Sequence, residues 1–402
     1  MPQNFLTLYR SKIKRPKKIK INELHTNRAL KHVIFSDQFD RALLERLCKV
    51  ATQIKELRSD TDGARFLKTL LDDKGAELYF TQSSTRTFKS FEKACQILGM
   101  DISETRDTKL SSEYKGESLM DAVRMYSSYA DILIMRSREP SLAECSAYLM
   151  NDLQTFNQRN VPIINAGSGA DEHPTQALLD IYTIYRSFEF ADPALQSTEE
   201  YEALIAKFPE LDEKRGGPDN KVYGFCGDVG RGRTVRSLIS LLARNYHDIS
   251  IYLISPDYEK LKASNEWKAE IRQYGIEMHE VDDLEDVIPE LDVLYMTRIQ
   301  HEHDKDEDKH RFDADYMKKY HLTEDRKDKM KRYAKIMHPF PRNEEIHEEV
   351  DKDPRAVYFN QARNGLWVRA ALIAYLLEQD SRISDKYETL FKHMHNYNET
   401  VL

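Results

Sequence analysis

The chain has 402 residues and a formal net charge of −8, with 40% hydrophobic and 32% charged residues. This composition is typical of a folded globular protein of about two domains and excludes a wholly disordered chain. The negative charge argues against general nucleic-acid binding. The longest apolar run, residues 366–377, is too short to span a membrane and predicts a buried helix.

The first twenty residues depart from this negative balance. Seven basic residues precede the first acid, Glu23, namely Arg10, Lys12, Lys14, Arg15, Lys17, Lys18 and Lys20. A transit peptide or an anion-binding arm would fit this pattern. We interpret the segment instead as a solvated, partly disordered extension, because isolated charged termini are usually poorly ordered.

Short apolar runs then alternate with helical periods, which is the order that builds parallel sheets. In the first half, strands are predicted at 76–81, 131–136 and 161–166, and helices at 85–98 and 173–186. In the second half, strands are predicted at 221–227, 248–255 and 291–297. The predicted fold class is α/β, with two doubly wound parallel-sheet domains joined by helices.

We expect residues 1–180 to form the first domain, completed by a C-terminal helix at 362–402, and residues 181–361 to form the second. The segment 188–220 is polar and rich in turns, and it predicts an irregular insertion with a short helix near 199–207. The segment 301–310, HEHDKDEDKH, predicts a mobile surface loop. Its residues His301, His303 and His310 also allow a metal site, which we consider the weaker interpretation.

Hydroxyl side chains surround an arginine where the strand 76–81 turns into the helix 85–98. They belong to Ser83, Ser84, Thr85 and Thr87, and the arginine is Arg86. Unpaired backbone N–H groups and the positive end of the helix dipole favour an anion at such a place. The planar guanidinium can bind two phosphate oxygens. An N-cap alone would explain one hydroxyl, but not four with an arginine, so the sequence predicts an anion site here.

Polar residues also follow the next two predicted strands. Arg136 ends the strand 131–136, and ligands collect at the C-terminal strand ends of parallel sheets. His173 and Gln176 follow a glycine-rich turn, and their spacing places them on one helix face. They offer a donor to a carbonyl oxygen and a group that can bind an amide. Taken singly, each of these residues is explained equally well by a structural role.

In the second half, the turn 227–234, GDVGRGRT, imitates a dinucleotide-binding fingerprint with Asp257 as the ribose acid. That interpretation would make the protein a nucleotide-dependent dehydrogenase. The glycine spacing is GxxGxG rather than GxGxxG, so the match is poor. Arg231 and Arg233 crowd the turn and suit a carboxylate or phosphate better.

Two further polar segments follow in the chain. Arg298 and Gln300 come directly after the strand 291–297. In HPFPR, residues 338–342, two prolines bracket one aromatic residue and fix a rigid turn. Such a turn can present backbone carbonyls to an NH₂ group.

Together these motifs resemble the aspartate/ornithine carbamoyltransferase family. They occur in the family's order as STRT at 84–87, KGES at 115–118, HPTQ at 173–176, GRT at 232–234, MTRIQHE at 296–302 and HPFPR at 338–342. The segment 358–372, YFNQARNGLWVRAAL, resembles its closing part, so the likeness covers about residues 76–377. The MTRxQxE and HPxPR pair is similar to the aspartate branch, because ornithine enzymes typically carry an HCLP turn.

The resemblance implies transfer of a carbamoyl group from carbamoyl phosphate to the amine of L-aspartate, in pyrimidine biosynthesis, without a cofactor or metal. It implies that the first domain binds carbamoyl phosphate and the second binds aspartate. The implied carbamoyl-phosphate residues are Ser84, Thr85, Arg86, Thr87, Ser111, Arg136, His173, Gln176, Phe340 and Pro341. The implied aspartate residues are Lys115, Arg233, Arg298 and Gln300, and the implied catalytic residues are Arg86, Thr87, Lys115, Arg136 and His173.

The resemblance also implies a homotrimer with shared active sites, because Ser111 and Lys115 resemble loop residues that family members insert into a neighbouring subunit. His303 departs from the family, where an arginine often stands, and predicts a weaker or pH-sensitive loop. Three alternatives stay open at this point. They are another amine acceptor, such as ornithine or a derivative, a non-catalytic paralogue, and the presence of a regulatory chain.

The chain has four cysteines that form no CxxC pair, namely Cys48, Cys95, Cys145 and Cys226. Their spacing argues against a disulfide framework and favours a reducing compartment, the cytoplasm.

Overall fold

The computed structural model describes residues 5–26, 29–107, 117–156, 158–168, 172–188, 206, 209, 217–299 and 317–399. The chain forms two compact units. Unit 1 comprises Met1–Leu178 and Arg363–Leu402, and unit 2 comprises Leu179–Ala362.

Unit 1 is built on a parallel sheet with helices along the chain before, between and after its strands. Its first elements are α1 (Phe5–Ile13), α2 (Lys17–Glu23), β1 (His25–Thr26), β2 (Ala29–Leu30), a 3₁₀ turn (Ser36–Gln38), α3 (Arg41–Ser59) and α4 (Thr61–Lys68). The alternating part follows as β3 (Gly75–Phe80), α5 (Thr85–Ile97), β4 (Asp101–Thr105), α6 (Leu119–Tyr129), β5 (Ile132–Arg136), α7 (Leu142–Thr155), β6 (Ile163–Asn165) and α8 (Pro174–Phe188).

In the strand order β4-β3-β5-β6, the adjacent strands β3, β5 and β6 are parallel, so their carboxyl ends lie side by side. Phe80 pairs with Arg136, and Met135 pairs with Asn165, all in parallel register. The direction of winding reverses at β3, because β4 lies on one side of it and β5 on the other. Open α/β sheets bind their ligands at such a switch point.

Unit 2 repeats this plan with five parallel strands. Its elements are β7 (Lys221–Cys226), α9 (Arg233–Asn245), β8 (Ile249–Ile254), α10 (Asn265–Arg272), β9 (Glu277–Val281), β10 (Val293–Met296), α11 (Glu324–Lys327), β11 (Lys335–Met337) and the 3₁₀ turns Leu284–Asp286, Ile288–Glu290, Lys318–Tyr320 and Glu348–Lys352. The strand order is β11-β10-β7-β8-β9, so the winding reverses at β7. The last described elements are α12 (Tyr358–Leu376) and α13 (Asp380–Glu399).

The predicted fold class is confirmed: two parallel sheets lie within the two units, and the unit boundaries fall inside α8 and α12. Each strand and helix given bounds in the α/β prediction is present within three residues of those bounds. Residues 366–376 of the apolar run at 366–377 lie in α12, as expected, and the side chains from Trp367 to Ala374 are buried. Among the described residues, no helix has the length and apolarity needed to cross a bilayer.

The predicted disordered N-terminal extension is wrong for the described residues from 5 onward. They form α1 and α2, and Tyr9 and Leu24 are buried in a core cluster with side chains of α7. The rings of Tyr9 and Tyr148 stack with centroids 6.0 Å apart. The prediction was based on charge alone. It was wrong because the acids that pair with the lysines of this segment lie far away in the sequence.

Several predictions fall outside the described residues. They are the short helix at 199–207 apart from Ala206, the loop 301–310 with its three histidines, and the proposed effect of His303. All four cysteines are described, and each is free and buried.

Candidate active site

The predicted anion loop lies at the switch point of unit 1. Ser84 is the N-cap residue of α5, yet among the described residues its hydroxyl makes no capping hydrogen bond. The helix is held in place from its other face, where the Phe88 ring contacts Phe80 edge-on at 5.3 Å. The Ser84 hydroxyl and the N–H groups of the first turn are therefore not used up by capping.

Thr87 is buried in this loop, whereas the side chains of Thr85 and Arg86 are exposed. Partial burial of the Arg86 guanidinium lowers its pKa from the ordinary value, but an arginine stays protonated at neutral pH. The loop is joined to the neighbouring strand, because the N–H of Gln82 donates to the carbonyl of Arg136 at 3.1 Å. The hydroxyl loop and Arg136 therefore lie at adjacent strand ends.

Arg136 and His173 converge on a single glycine. Both side chains are buried, with 9% and 4% of their surface exposed. Gly167 has a φ of +93°, and a Cβ placed on it would lie 2.6 Å from His173 Cδ2 and 2.8 Å from Arg136 Nη1. Arg136 Nη1 also donates to the carbonyl of Ala166 at 3.1 Å. The turn before α8 thus brings together two residues that are 37 positions apart in the sequence.

Asn165, which sequence reasoning missed, fixes this turn. Its Oδ1 accepts from the N–H groups of Gly167 and Ser168 at 2.9 and 3.0 Å. Its Nδ2 donates to the carbonyl of Glu172 at 3.0 Å. Because one buried amide binds both ends of the turn, it holds the backbone next to His173. The available signal was a polar residue closing an apolar strand.

Gln176 is in the first turn of α8, and its N–H donates to the carbonyl of His173 at 2.9 Å. The two residues therefore occupy the same helical turn, as their spacing predicts. Gln176 is 9% exposed. Ser111 and Lys115, the two residues expected to reach a neighbouring subunit, lie outside the described residues.

In unit 2, the turn after β7 is shaped by a buried carboxylate. Asp228 is fully buried, and its two oxygens accept from Arg231 Nε at 2.8 Å and from the Arg231 N–H at 3.1 Å. Arg231 was expected to suit a carboxylate or phosphate, and it pairs with a carboxylate of its own turn. Arg233, two residues later, begins α9 and is partly exposed.

The turn after β10 is packed against the turn after β7. Gly227 has a φ of +110°, and a Cβ on it would lie 2.0 Å from the carbonyl oxygen of Thr297. The Thr297 hydroxyl accepts from the N–H of Asp228 at 3.0 Å. Arg298 follows directly and is partly exposed, so Arg233 and Arg298 come from adjoining strand ends at the switch point of unit 2. Gln300 lies outside the described residues.

The HPFPR turn after β11 is organised by its own histidine. The His338 ring is 1% exposed; its Nδ1 accepts from the N–H of Phe340 at 2.8 Å and its Nε2 donates to Glu345 at 2.8 Å. We assign this neutral tautomer from the two hydrogen bonds. Burial alone would raise the pKa of Glu345, but its interactions with His338 lower it below the ordinary value. The left-handed backbone of Phe340, with φ +55°, is thus held by a side chain two residues away.

A buried hydrogen-bond chain supports the same turn. The N–H of His338 donates to Gln361 at 2.8 Å, and Gln361 donates to Asp180 at 2.7 Å. The hydroxyl of Tyr295 donates to the other oxygen of Asp180 at 2.9 Å. Gln361, Asp180 and Tyr295 are each at most 1% exposed. None of them was singled out from the sequence, although they anchor the turn that carries Phe340 and Pro341.

The described residues offer little for metal or thiol chemistry. Within them, no three histidine, cysteine, aspartate or glutamate side chains come together in a way that could hold a metal ion. Burial raises the pKa of Cys95 to about 12, and it also raises the pKa of Cys226. Both thiols are therefore neutral at physiological pH and unsuited to act as nucleophiles. Asp257, the supposed ribose acid, pairs with Lys262 at 2.7 Å.

The two α/β units carry cationic side chains at their switch points, an arrangement that suits anionic ligands. Family models agree with this description and make it specific. The carbamoyl-P binding domain of aspartate/ornithine carbamoyltransferase matches residues 31–186, and the Asp/Orn binding domain matches residues 219–376. The chain belongs to the aspartate/ornithine carbamoyltransferase family, as the motifs predict.

Similar proteins occur in Pisum sativum and Thermococcus gammatolerans. Aspartate carbamoyltransferase 1, chloroplastic, of Pisum sativum is 37% identical over 87% of this chain and 79% of its own length. The aspartate carbamoyltransferase catalytic subunit of Thermococcus gammatolerans is 35% identical over 86% of this chain and 97% of its own length.

Solved structures show the same likeness. The catalytic subunit of M. jannaschii aspartate transcarbamoylase is 32% identical, with a TM-score of 0.69 over 88% of this chain and 99% of that one. Aspartate transcarbamoylase from Trypanosoma cruzi in complex with carbamoyl aspartate and phosphate is 31% identical, with a TM-score of 0.65 over 85% and 94%.

Proposed function

We propose that the chain transfers the carbamoyl group of carbamoyl phosphate to the amine of L-aspartate, giving N-carbamoyl-L-aspartate and phosphate in pyrimidine biosynthesis. The observation that carries the proposal is the convergence of Arg136 and His173 on Gly167, beside the loop of Ser84 to Thr87. It places a cation and an imidazole next to a helix N-terminus, which is the environment that a phosphate and an adjoining carbonyl oxygen require.

Unit 1 binds carbamoyl phosphate in this proposal. Ser84, Thr85, Arg86 and Thr87 hold the phosphate together with Arg136. Thr87, Arg136 and His173 contact the carbamoyl oxygen, while Gln176 binds the carbamoyl nitrogen. Support comes from the burial of Thr87, Arg136, His173 and Gln176, since donors in a poorly hydrated environment stabilise developing charge more strongly than donors in water.

Unit 2 binds aspartate. Arg233, Arg298 and Gln300 bind the two carboxylates, because arginine pairs with carboxylate through parallel hydrogen bonds.

Unit 2 also contributes to carbamoyl binding. The backbone carbonyls of Phe340 and Pro341 accept hydrogen bonds from the carbamoyl nitrogen. The His338 hydrogen bond to the Phe340 N–H supports this role, because it fixes the orientation of the turn without using a carbonyl oxygen.

In the reaction, the neutral amine of aspartate attacks the carbamoyl carbon and a tetrahedral oxyanion forms. The bond from that carbon to the phosphate oxygen then breaks, and the departing phosphate takes the proton from the amine. The protein contributes orientation, which is worth roughly 7–11 kcal/mol in favourable cases. It also stabilises the oxyanion, and loss of one such donor costs about 3 kcal/mol.

Ser111 and Lys115 reach the active site of a neighbouring copy, and the assembly is a homotrimer with shared sites.

The protein is located in the cytoplasm, an assignment supported by four free, buried cysteines. The Pisum sativum relative carries the name chloroplastic, so a full-length fluorescent fusion in the source cell is the direct test. Fluorescence confined to an organelle contradicts the cytoplasmic assignment.

The function is tested by incubating the purified chain with carbamoyl phosphate and, separately, L-aspartate or L-ornithine. We expect carbamoyl-aspartate and phosphate in equal amounts, and no carbamoylated ornithine. Product from ornithine alone contradicts the choice of acceptor. Binding of carbamoyl phosphate without turnover of either amine identifies a non-catalytic paralogue. The mass in solution, measured on the same sample, tests the trimer.

A further inference from the structure

Residues 5–24 lie in the first described segment and precede the region matched by the family models, which begins at residue 31. We call it the N-terminal arm. It contains α1 and α2 and packs on unit 1 through Tyr9 and Leu24, which are 4% and 0% exposed. A segment that buries aromatic and aliphatic side chains is part of the folded unit rather than a tail.

Two lysines of the arm attach it to α7. Lys20 is 9% exposed and pairs with the buried Glu144 at 2.9 Å. Its ammonium also lies 4.7 Å from the centre of the Phe35 ring. Lys12 pairs with Asp152 at 3.0 Å, and both partners of that pair are partly exposed. These contacts fix the arm at positions remote in sequence from the proposed catalytic histidine.

A third lysine reaches the turn that carries that histidine. The Lys17 ammonium lies 2.5 Å from Glu172 and 3.0 Å from the buried Asp37. Burial alone would lower the pKa of Lys17, but the two carboxylates more than offset this and raise it, so the lysine is charged at neutral pH. One cation of the arm thus neutralises two carboxylates.

Glu172 is the residue immediately before His173. Its carboxylate accepts from the N–H and the hydroxyl of Ser36 at 2.8 and 2.5 Å, and its carbonyl accepts from Asn165 at 3.0 Å. The side chain and the backbone of Glu172 are therefore both fixed, and Lys17 supplies the only opposite charge among these described contacts. Without it, the carboxylates of Asp37 and Glu172 would repel each other.

We propose that Lys17 is a positioning residue for carbamoyl transfer, acting through Glu172 to hold His173 against Arg136. The inference rests on the proposed function, because it assigns the arm a role in that reaction. Lys17 touches no substrate. Its effect arises because a shift of about 1 Å in a residue that contacts the reacting group can lower the rate by about 100-fold.

The test compares steady-state kinetics of Lys17→Met with those of Lys12→Met, in the full-length chain. Each variant removes one cation of the arm: Lys12→Met breaks the ion pair with Asp152, whereas Lys17→Met breaks the pairs with Asp37 and Glu172. The free energy of unfolding is therefore measured for both, so that a loss of arm stability is separated from a loss of kcat. We expect kcat to fall about 10- to 100-fold in Lys17→Met and to stay at the wild-type value in Lys12→Met. The KM for aspartate is expected to be unchanged, and Lys17→Arg is expected to restore kcat.

Glu172→Gln keeps the inference testable if Lys17→Met folds poorly. It retains an acceptor oxygen for Ser36 but loses the ion pair with Lys17, so it should lower kcat by the same factor of about 10- to 100-fold. Where both single variants fold, the double variant should show no further loss, because both changes break the same interaction. Additive losses would overturn the inference.

The outcomes separate this inference from the function on which it rests. If the wild-type chain is active and Lys17→Met has the same kcat as Lys12→Met, the positioning role of Lys17 is wrong and the function stands. If the wild-type chain forms no carbamoyl-aspartate, the proposed function fails and the inference fails with it.

Discussion

Replacing Gly167 by alanine tests whether His173 and Arg136 must share one turn. A Cβ there would lie 2.6 Å from His173 Cδ2, 2.9 Å from His173 Cγ and 2.8 Å from Arg136 Nη1. Carbon atoms in ordinary contact are about 3.5–4.0 Å apart, so the imidazole must move by about 1 Å. A misplacement of that size lowers the rate by about 100-fold. The positive φ of the new alanine adds a strain of about 1–3 kcal/mol.

Gly275→Ala is the matched control for the strain. Gly275 has a φ of +79°, and among the described residues no heavy atom beyond its chain neighbours comes within 4 Å of its added Cβ. Both variants should therefore lose free energy of unfolding to backbone strain, measured by urea denaturation, and Gly167→Ala should lose more because its Cβ also displaces buried side chains. Only Gly167→Ala should lose kcat in the carbamoyl-aspartate assay. Wild-type kcat in folded Gly167→Ala would refute the proposed role of this turn.

Four further predictions concern individual residues. His173→Ala should lower kcat by about 10²–10³-fold in a folded protein, and near-normal turnover would remove its role. Arg298→Ala should raise the KM for aspartate more than that for carbamoyl phosphate; the reverse order would mean that the two binding sites are exchanged. Mixing inactive Lys115→Ala and Arg86→Ala chains should restore some activity, and no recovery after verified subunit exchange would indicate unshared sites. Because the pKa of Glu345 is lowered on folding, its contribution to stability is present above pH 4.5 and lost as the pH falls below it, so Glu345→Gln should weaken the acid dependence of unfolding measured by denaturant titration. An unchanged dependence contradicts that assignment.

The central part of the fold could be predicted from the sequence because it depends on local patterns. β5 has four apolar residues followed by Arg136, all five of them buried, and α5 places Phe88, Phe91 and Cys95 on one buried face. The three strands of the parallel sheets that were not predicted, β4, β9 and β11, all lie at sheet edges. Side chains of β4 and β9 are largely exposed, so their sequences carry polar residues that mask the strand signal.

Parts of the candidate site could be predicted for the same reason. Residues proposed to contact substrate follow the ends of buried strands, and the carboxyl ends of parallel strands meet at one edge. Position and residue type alone therefore predict Arg136 and His173 as candidate site residues, and the structure brings their side chains together at Gly167. Arg231 shows the limit of that rule, because it satisfies the same criteria and yet its guanidinium pairs with Asp228.

The residues that hold these groups in place could not be predicted, because their partners are distant in the sequence. Gln361 donates to Asp180 across 181 positions, and Ser36 donates to Glu172 across 136. A local pattern sees only a glutamine in an apolar helix or a glutamate before a motif. The prediction for the N-terminal arm was wrong for the same reason. Its lysines are predicted to be solvated because the acids that pair with them are distant in the sequence. Rate losses at Gly167 and Lys17, neither of which is proposed to touch substrate, would show that catalysis depends on these long-range contacts as well as on the recognisable motifs.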